Sequence, residues 1–221
     1  MHLLYQFPNR IDILPSGATT LDWGGRNPFD QESRLVTNPA LAFPRVLPNA
    51  FTSEECQQVI ALAESLNSQA ATVEERGDVS SRDYRIGSIA WIEPDPPAQW
   101  LFHRLGVLFK SVNAASYGFE LAGFAEALQY TVYSPGQYFN WHADIGPGTT
   151  SLRKLSLTIQ LSSSTDYEGG DLQFHGATDM PIARELGCAT FFPAYLAHQV
   201  APITSGRRRS LVAWAYGPAF R

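Results

Sequence analysis

Hydrophobic and polar positions recur along this chain with two different periods, and the change falls near residue 125. Before it the pattern is helical. Thr52-Ser53-Glu54-Glu55 has the form of a capping box, and Phe51 and Cys56 stand where a hydrophobic staple closes over such a helix start. Val59, Ile60, Ala63 and Leu66 then recur at helical spacing, which predicts a helix to about Asn67. A polar stretch, 68–84, reads as a loop, and residues 85–92 (Arg85 to Ile92) read as one strand. The breaker Pro94-Asp95-Pro96-Pro97 leads into a second helix with Leu101, Leu105, Leu108 and Val112 on one stripe. His103 rides on that helix as an isolated histidine with no ligand-spaced partner.

From Ala125 onward the period is two. Strands are predicted over 125–133, 138–144, 154–162, 171–175, 188–192 and 209–216, separated by Gly- and Pro-containing turns. In Leu155-Ser156-Leu157-Thr158-Ile159-Gln160-Leu161 the apolar residues share one face and Ser156, Thr158 and Gln160 the other, so the strand divides an apolar layer from a polar one; the polar side faces solvent or a polar cavity, and its place between the His142 strand and His198 favours the cavity. Helices followed by many short antiparallel strands predict an α+β, mainly β chain: a double-stranded β-helix, or jelly roll, with the N-terminal helices packed on one sheet. Residues 1–44, rich in Pro and Gly, read as an irregular arm with a short strand at 11–14, and 45–221 as the domain, its site within 125–216.

The 221 residues, 44% hydrophobic and 17% charged, suit one domain with a sizeable core. A formal charge of -5 and a pI near 5.5 argue against a nucleic-acid or anionic-membrane binder. The two cysteines, Cys56 and Cys188, fall in segments expected to be buried, as free thiols of a reducing compartment. The first residues lack the basic start and long apolar run of a signal peptide, and no apolar run is long enough to span a membrane, so a cytoplasmic location is expected.

Candidate chemistry centres on Tyr138-Phe139-Asn140-Trp141-His142-Ala143-Asp144. In a strand, His142 and Asp144 point the same way and can share one ion. His198, at the end of the apolar run from Phe191, can supply a second imidazole. Two His and one carboxylate with open positions suit non-haem Fe(II); they also suit catalytic zinc with a bound water, and a jelly-roll binding module with packed histidines uses neither. For a zinc hydrolase the nearest general base is Glu168, beside the turn at Gly169-Gly170. Arg208, after the turn at Ser205-Gly206, leads into the apolar strand Leu211-Val212-Ala213-Trp214; spacing alone suits either three surface arginines, Arg207 to Arg209, or an inward Arg208 whose guanidinium needs an anion. A dicarboxylate held by metal at one end and Arg208 at the other meets that need.

His142-x-Asp144, Arg153-Lys154-Leu155-Ser156, Tyr167-Glu168-Gly169-Gly170-Asp171-Leu172-Gln173-Phe174, Phe191-Phe192-Pro193, His198, Pro202 and Gly206-x-Arg208 with Trp214 together resemble the prolyl 4-hydroxylase-like branch of the Fe(II)/2-oxoglutarate dioxygenases. The likeness reaches back through Arg85 to Trp91 and the capped helix. It implies that His142, Asp144 and His198 bind Fe(II) and that Arg208 binds the distal carboxylate of 2-oxoglutarate. It further implies that the Tyr133 hydroxyl assists with this cosubstrate, that Ser156 and Gln160 line its pocket, and that Arg207 and Arg209 are exposed. The implied reaction consumes O2, releases succinate and CO2, admits ascorbate as reductant, and hydroxylates a C–H bond of a peptidyl, prolyl-type, or small-molecule substrate. The Asp144 carboxylate favours hydroxylation over halogenation. Segments 68–84 and 145–152 are the expected substrate-facing lids.

Overall fold

Antiparallel pairing organises most of the chain described by the computed structural model, which covers residues 2–6, 38–66, 69–70, 85–176 and 184–220. The strand expected at 11–14, most of the arm, and 71–84 of the expected loop lie outside these residues. In chain order the first strands are β1 (Tyr5–Gln6), β2 (Arg45–Leu47), β3 (Gln69–Ala70), β4 (Arg85–Ile86), β5 (Ser88–Ile92), β6 (Gly123–Phe124), β7 (Leu128–Tyr133) and β8 (Tyr138–His142). They continue with β9 (Arg153–Gln160), β10 (Tyr167–Gly169), β11 (Leu172–Phe174), β12 (Ala189–Pro193), β13 (His198–Val200), β14 (Ile203–Gly206) and β15 (Arg208–Tyr216). The major sheet runs β2-β12-β9-β15-β7-β5-β3, with the β1–β6 pair attached at β15. The minor sheet runs β11-β13-β8-β4, and β10 pairs with β14.

Two helices, α1 (Ser53–Glu64) and α2 (Gln99–Val112), follow from the signals in the sequence. Both halves of the capping box form: Thr52 Oγ1 accepts from the Glu55 N–H at 3.2 Å, and Glu55 Oε2 accepts from the Thr52 N–H at 2.8 Å. Phe51 and Cys56 are buried, as a staple requires. The helix ends at Glu64, short of Asn67, with Ser65 as its C-cap and the Ser65 hydroxyl donating to the Leu62 carbonyl at 2.7 Å. α2 buries Leu101, Phe102, Leu105, Leu108 and Phe109, and Phe109 meets Phe124 and Phe191 edge-on at ring separations of 5.3 and 5.1 Å.

These helical faces share one apolar core with Leu155, Leu157 and Ile159 of β9 and Leu211, Ala213 and Ala215 of β15. The alternate residues, Ser156, Thr158 and Gln160, with Gln129, Thr131, Thr190, Arg208 and Ser210, are buried too. They face inward, where a second apolar cluster joins Tyr133 and Phe192 of the major sheet to Phe174 and Val200 of the minor one. The fold is thus the expected jelly roll, helices outside and a polar interior between the sheets.

Three expectations change. Residues 85–92 are not one strand: the chain passes from minor to major sheet at Gly87, where a Cβ would sit 3.0 Å from the Tyr133 ring. Within the expected loop, Gln69 and Ala70 form an edge strand on β5. Arg207 is exposed, but Arg209 is half-buried because its Nε reaches Glu64 Oε1 at 3.3 Å. The expected lid at 145–152 contains a 3-10 turn, Gly148–Leu152. Both cysteines are buried free thiols, pushed up to about 11 by burial and therefore poorly nucleophilic at neutral pH. Among the described residues no helix is long and apolar enough to cross a membrane.

The joint between α2 and the major sheet should be the fold's most sensitive point. Phe109→Ala is expected to lower the unfolding free energy by about 3–5 kcal/mol, and Thr52→Ala, which removes only the cap, by about 1 kcal/mol. Urea unfolding of both variants beside the parent checks the ranking.

Candidate metal centre

His142 and His198 are register partners across β8 and β13, with ring centroids 4.1 Å apart. Each Nδ1 lies against the backbone carbonyl two residues earlier, His142 at 2.7 Å from Asn140 O and His198 at 2.9 Å from Leu196 O. Donation from Nδ1–H to those carbonyls leaves both Nε2 lone pairs directed at one point. Phe139 stacks on His142 at 3.6 Å, and Phe192 and Phe174 wall in His198.

Asp144 arrives differently from the expectation. β8 ends at His142, so strand parity alone does not aim the carboxylate. The Asp144 and Ile145 N–H groups both donate to the Ala194 carbonyl, at 2.9 and 3.0 Å, and this shared acceptor folds the chain back over the strand end. Asp144 Oδ1 then stands 3.8 Å from His142 Nε2, and Oδ2 3.8 Å from His198 Nε2. One ligand atom from each of the three residues lies within 4.8 Å of the others, the one such metal-competent group among the described residues.

Other groups hold the carboxylate. The Ser156 hydroxyl donates to Asp144 Oδ2 at 2.6 Å, and Arg153 donates to the Asp144 carbonyl at 2.9 Å. Arg153 is itself clamped by Glu126 through two hydrogen bonds, at 2.7 and 2.6 Å, and lies 4.0 Å over the Trp214 ring. Burial pulls His142 down to about 4, His198 adds to the shift, and Asp144 opposes it. For Asp144, burial raises the carboxyl, but His198, His142, Arg153 and the Ser156 hydroxyl together outweigh it and hold it below the usual range. The site therefore holds an ionised Asp144 carboxylate and a neutral His142, two donors ready for a divalent cation.

Arg208 lies at the far end of the polar interior, opposite Tyr133 in the β15–β7 pairing and 1% exposed. Gly206 (φ +73) makes the turn before it, where a Cβ would collide with Asp166 O. Among the described residues its Nε and Nη2 have no partner, and Gln160 Oε1, Thr190 Oγ1 and Tyr167 Oη are also buried without one. Buried orphan donors and acceptors in one cavity fit a polar, anionic ligand. Tyr133 lies beside Arg208, its ring centre 6.0 Å from the guanidinium carbon, and Gln160 is 2% exposed on the inner face of β9. Ser156 has its contact with Asp144. Glu168, the base a zinc hydrolase would need, is exposed on β10.

Two further inward arginines, Arg85 and Arg153, had no assigned role in the sequence reading, and Thr190 and Tyr167 were likewise unassigned. For Arg85 the available signal was a charged residue opening the otherwise uncharged run 85–92.

The depressed His142 makes a prediction for the metal-free protein. Between its ordinary value of 6.5 and about 4, the unfolded chain binds a proton that the fold excludes. Stability should therefore fall as pH drops through that window, by about 3 kcal/mol in all. Denaturant melts in chelator across pH 4–7 test this, and His142→Gln should flatten the slope.

The profile of the 2OG-Fe(II) oxygenase superfamily matches residues 128–216. A PKHD-type hydroxylase of Alteromonas mediterranea is 30% identical over 89 residues, covering 37% of this chain and 39% of the relative. One from Synechococcus sp. (strain CC9605) is 32% identical over 98 residues, covering 43% and 44%. The chain thus spans about two fifths of the length of the curated relatives it matches. Among solved structures, a prolyl hydroxylase from Trichoplax adhaerens in complex with a hypoxia inducible factor peptide superposes with TM-score 0.64 at 18% identity, covering 81% of this chain and 86% of that one. A Pseudomonas putida prolyl-4-hydroxylase gives 0.61 at 19%, covering 82% and 96%. At such identities these likenesses speak to the fold, and they agree with the jelly roll built above. The profile falls on the strands that carry His142, Asp144, His198 and Arg208, so this stretch of the chain is similar to the 2OG-Fe(II) oxygenase superfamily.

Proposed function

We propose that this protein is an Fe(II)- and 2-oxoglutarate-dependent hydroxylase acting on a C–H bond of a prolyl-type peptidyl or small-molecule substrate, with release of succinate and CO2. Residues 45–221 form the catalytic unit and the setting is cytoplasmic. One observation carries the reading: a His142, Asp144, His198 donor set shares a polar interior with a buried arginine, Arg208, whose guanidinium has no counter-ion among the described residues. Zinc hydrolysis uses the donors and leaves Arg208 without a task; a dicarboxylate cosubstrate gives it one. The peptide bound to the Trichoplax relative supports the peptidyl form of the substrate.

Bound iron and 2-oxoglutarate supply O2 activation and oxidative decarboxylation, chemistry that side chains lack. The chain's own work is placement. His142, Asp144 and His198 occupy three positions on the metal and leave the rest open. Arg208 would bind the distal carboxylate of 2-oxoglutarate, with the Tyr133 hydroxyl and Gln160 assisting. Ser156 keeps Asp144 from rotating away. Trp91 and Trp214 lie side by side on the major sheet, with ring centres 6.4 Å apart.

Anaerobic addition of Fe(II) and then 2-oxoglutarate should produce the visible charge-transfer band of the chelate, and Arg208→Ala should raise the 2-oxoglutarate needed by about 100-fold. Metal binding without a band would favour the zinc hydrolase, and no metal binding the non-catalytic module. Ser156→Ala should weaken Fe(II) binding about tenfold in equilibrium dialysis while unfolding is little changed; unchanged affinity would remove the positioning role.

A further inference from the structure

The polar interior holds a second buried arginine that the proposed reaction does not use. Arg85 opens β4 and is 7% exposed. Its Nη1 and Nη2 make only long bonds to neutral acceptors, Gln129 Oε1 at 3.3 Å and Thr131 Oγ1 at 3.4 Å, and its Nε has no partner. Among the described residues no carboxylate pairs with it. Its guanidinium carbon lies 4.7 Å from the Phe139 ring centre, and that ring stacks on His142. Arg85 therefore stands one aromatic ring away from the metal ligands.

Charge and position both set it apart from Arg208. On the reading above, the two positive charges of iron and that of Arg208 match the single negative charge of Asp144 and the two of 2-oxoglutarate. Arg153 is matched by Glu126. Among the described residues Arg85 is the positive charge left without a carboxylate, in a desolvated interior where an unpaired ion is costly. Arg208 stands opposite Tyr133, whereas the residues that hold Arg85 are Thr131 and Gln129, two and four positions further along β7 on the same face. At strand rise that is roughly 7–13 Å. Gln129 pairs with Trp91, which is 38% exposed, so Arg85 sits toward the solvent-facing mouth while Arg208 closes the far end.

We propose that Arg85 is a specificity residue that receives a carboxylate of the substrate. The protein then selects a molecule with one free carboxylate near the C–H bond to be hydroxylated, as in a free or N-acylated amino acid or the C-terminal residue of a peptide. This rests on the oxygenase reading and narrows it, since an internal residue of a polypeptide has no such group. A guanidinium already held in place by Gln129 and Thr131, which are themselves hydrogen-bonded at 2.9 Å, is set for a forked contact.

The test uses the anaerobic protein loaded with Fe(II) and 2-oxoglutarate. L-Proline, N-acetyl-L-proline and L-leucine are each titrated against the matching amide, followed by the charge-transfer band and by tryptophan fluorescence. At least one acid should bind about tenfold or more tightly than its amide. That preference should vanish in Arg85→Gln and survive in part in Arg85→Lys, with the 2-oxoglutarate band present in both. Acids that bind no better than amides, or a preference that persists in Arg85→Gln, would overturn the proposal. Loss of the band in Arg85→Gln would also overturn it, by making Arg85 part of the cosubstrate site. A wild-type protein that forms no band would remove the oxygenase reading itself.

Discussion

The site depends on one register, His142 opposite His198 in the β8–β13 pair. Side chains alternate across a strand, so a slip of one residue would bring Gln199 to the inner face and send His198 outward. The pairing shifts between His198 and Val200, a local irregularity that still keeps Val200 opposite Phe139. Asp144 is tied to the same joint through Ala194, four residues before His198, whose carbonyl accepts from both Asp144 and Ile145. Strand pairing and one shared acceptor thus bring three donors from two distant segments to a common point.

The major sheet makes that point habitable. Its outer face joins α1 and α2 in an apolar core, which supplies stability from the side away from the site. The inner face can then carry Thr131, Ser156, Gln160, Thr190 and Arg208, several with atoms that lack partners. Each unsatisfied buried group costs about 1–3 kcal/mol. A ligand that satisfies several at once recovers part of that cost, and its binding is coupled to stability for the same reason.

The three inward arginines show how structural and ligand-directed charges differ. Arg153 has a bidentate carboxylate in Glu126, a backbone carbonyl and an aromatic face in Trp214. It is satisfied without a ligand and serves to hold Asp144. Arg208 and Arg85 are as deeply placed, but their described partners are neutral groups or none. Burial alone does not mark a binding residue. The proposed ligand roles of Arg208 and Arg85 rest on burial without a counter-charge among the described residues, because a desolvated cation needs an anion.

What the sequence determined by itself is what rests on local chemistry. The capping box at Thr52, the stripe of α2 and the two-faced pattern of 155–161 all reappear in the structure, since neighbours within a few residues specify them. The motif resemblance also reached the four residues now gathered in one interior. Tertiary structure alone decided how they meet. The sheet change at Gly87 follows from the Tyr133 ring lying against it, and the aim of Asp144 from Ala194, fifty residues away. Whether an arginine is matched, as Arg153 is, or left unmatched, as Arg85 is, depends on partners brought from other strands. Charge balance belongs to the assembled cavity, and no local pattern in the chain encodes it.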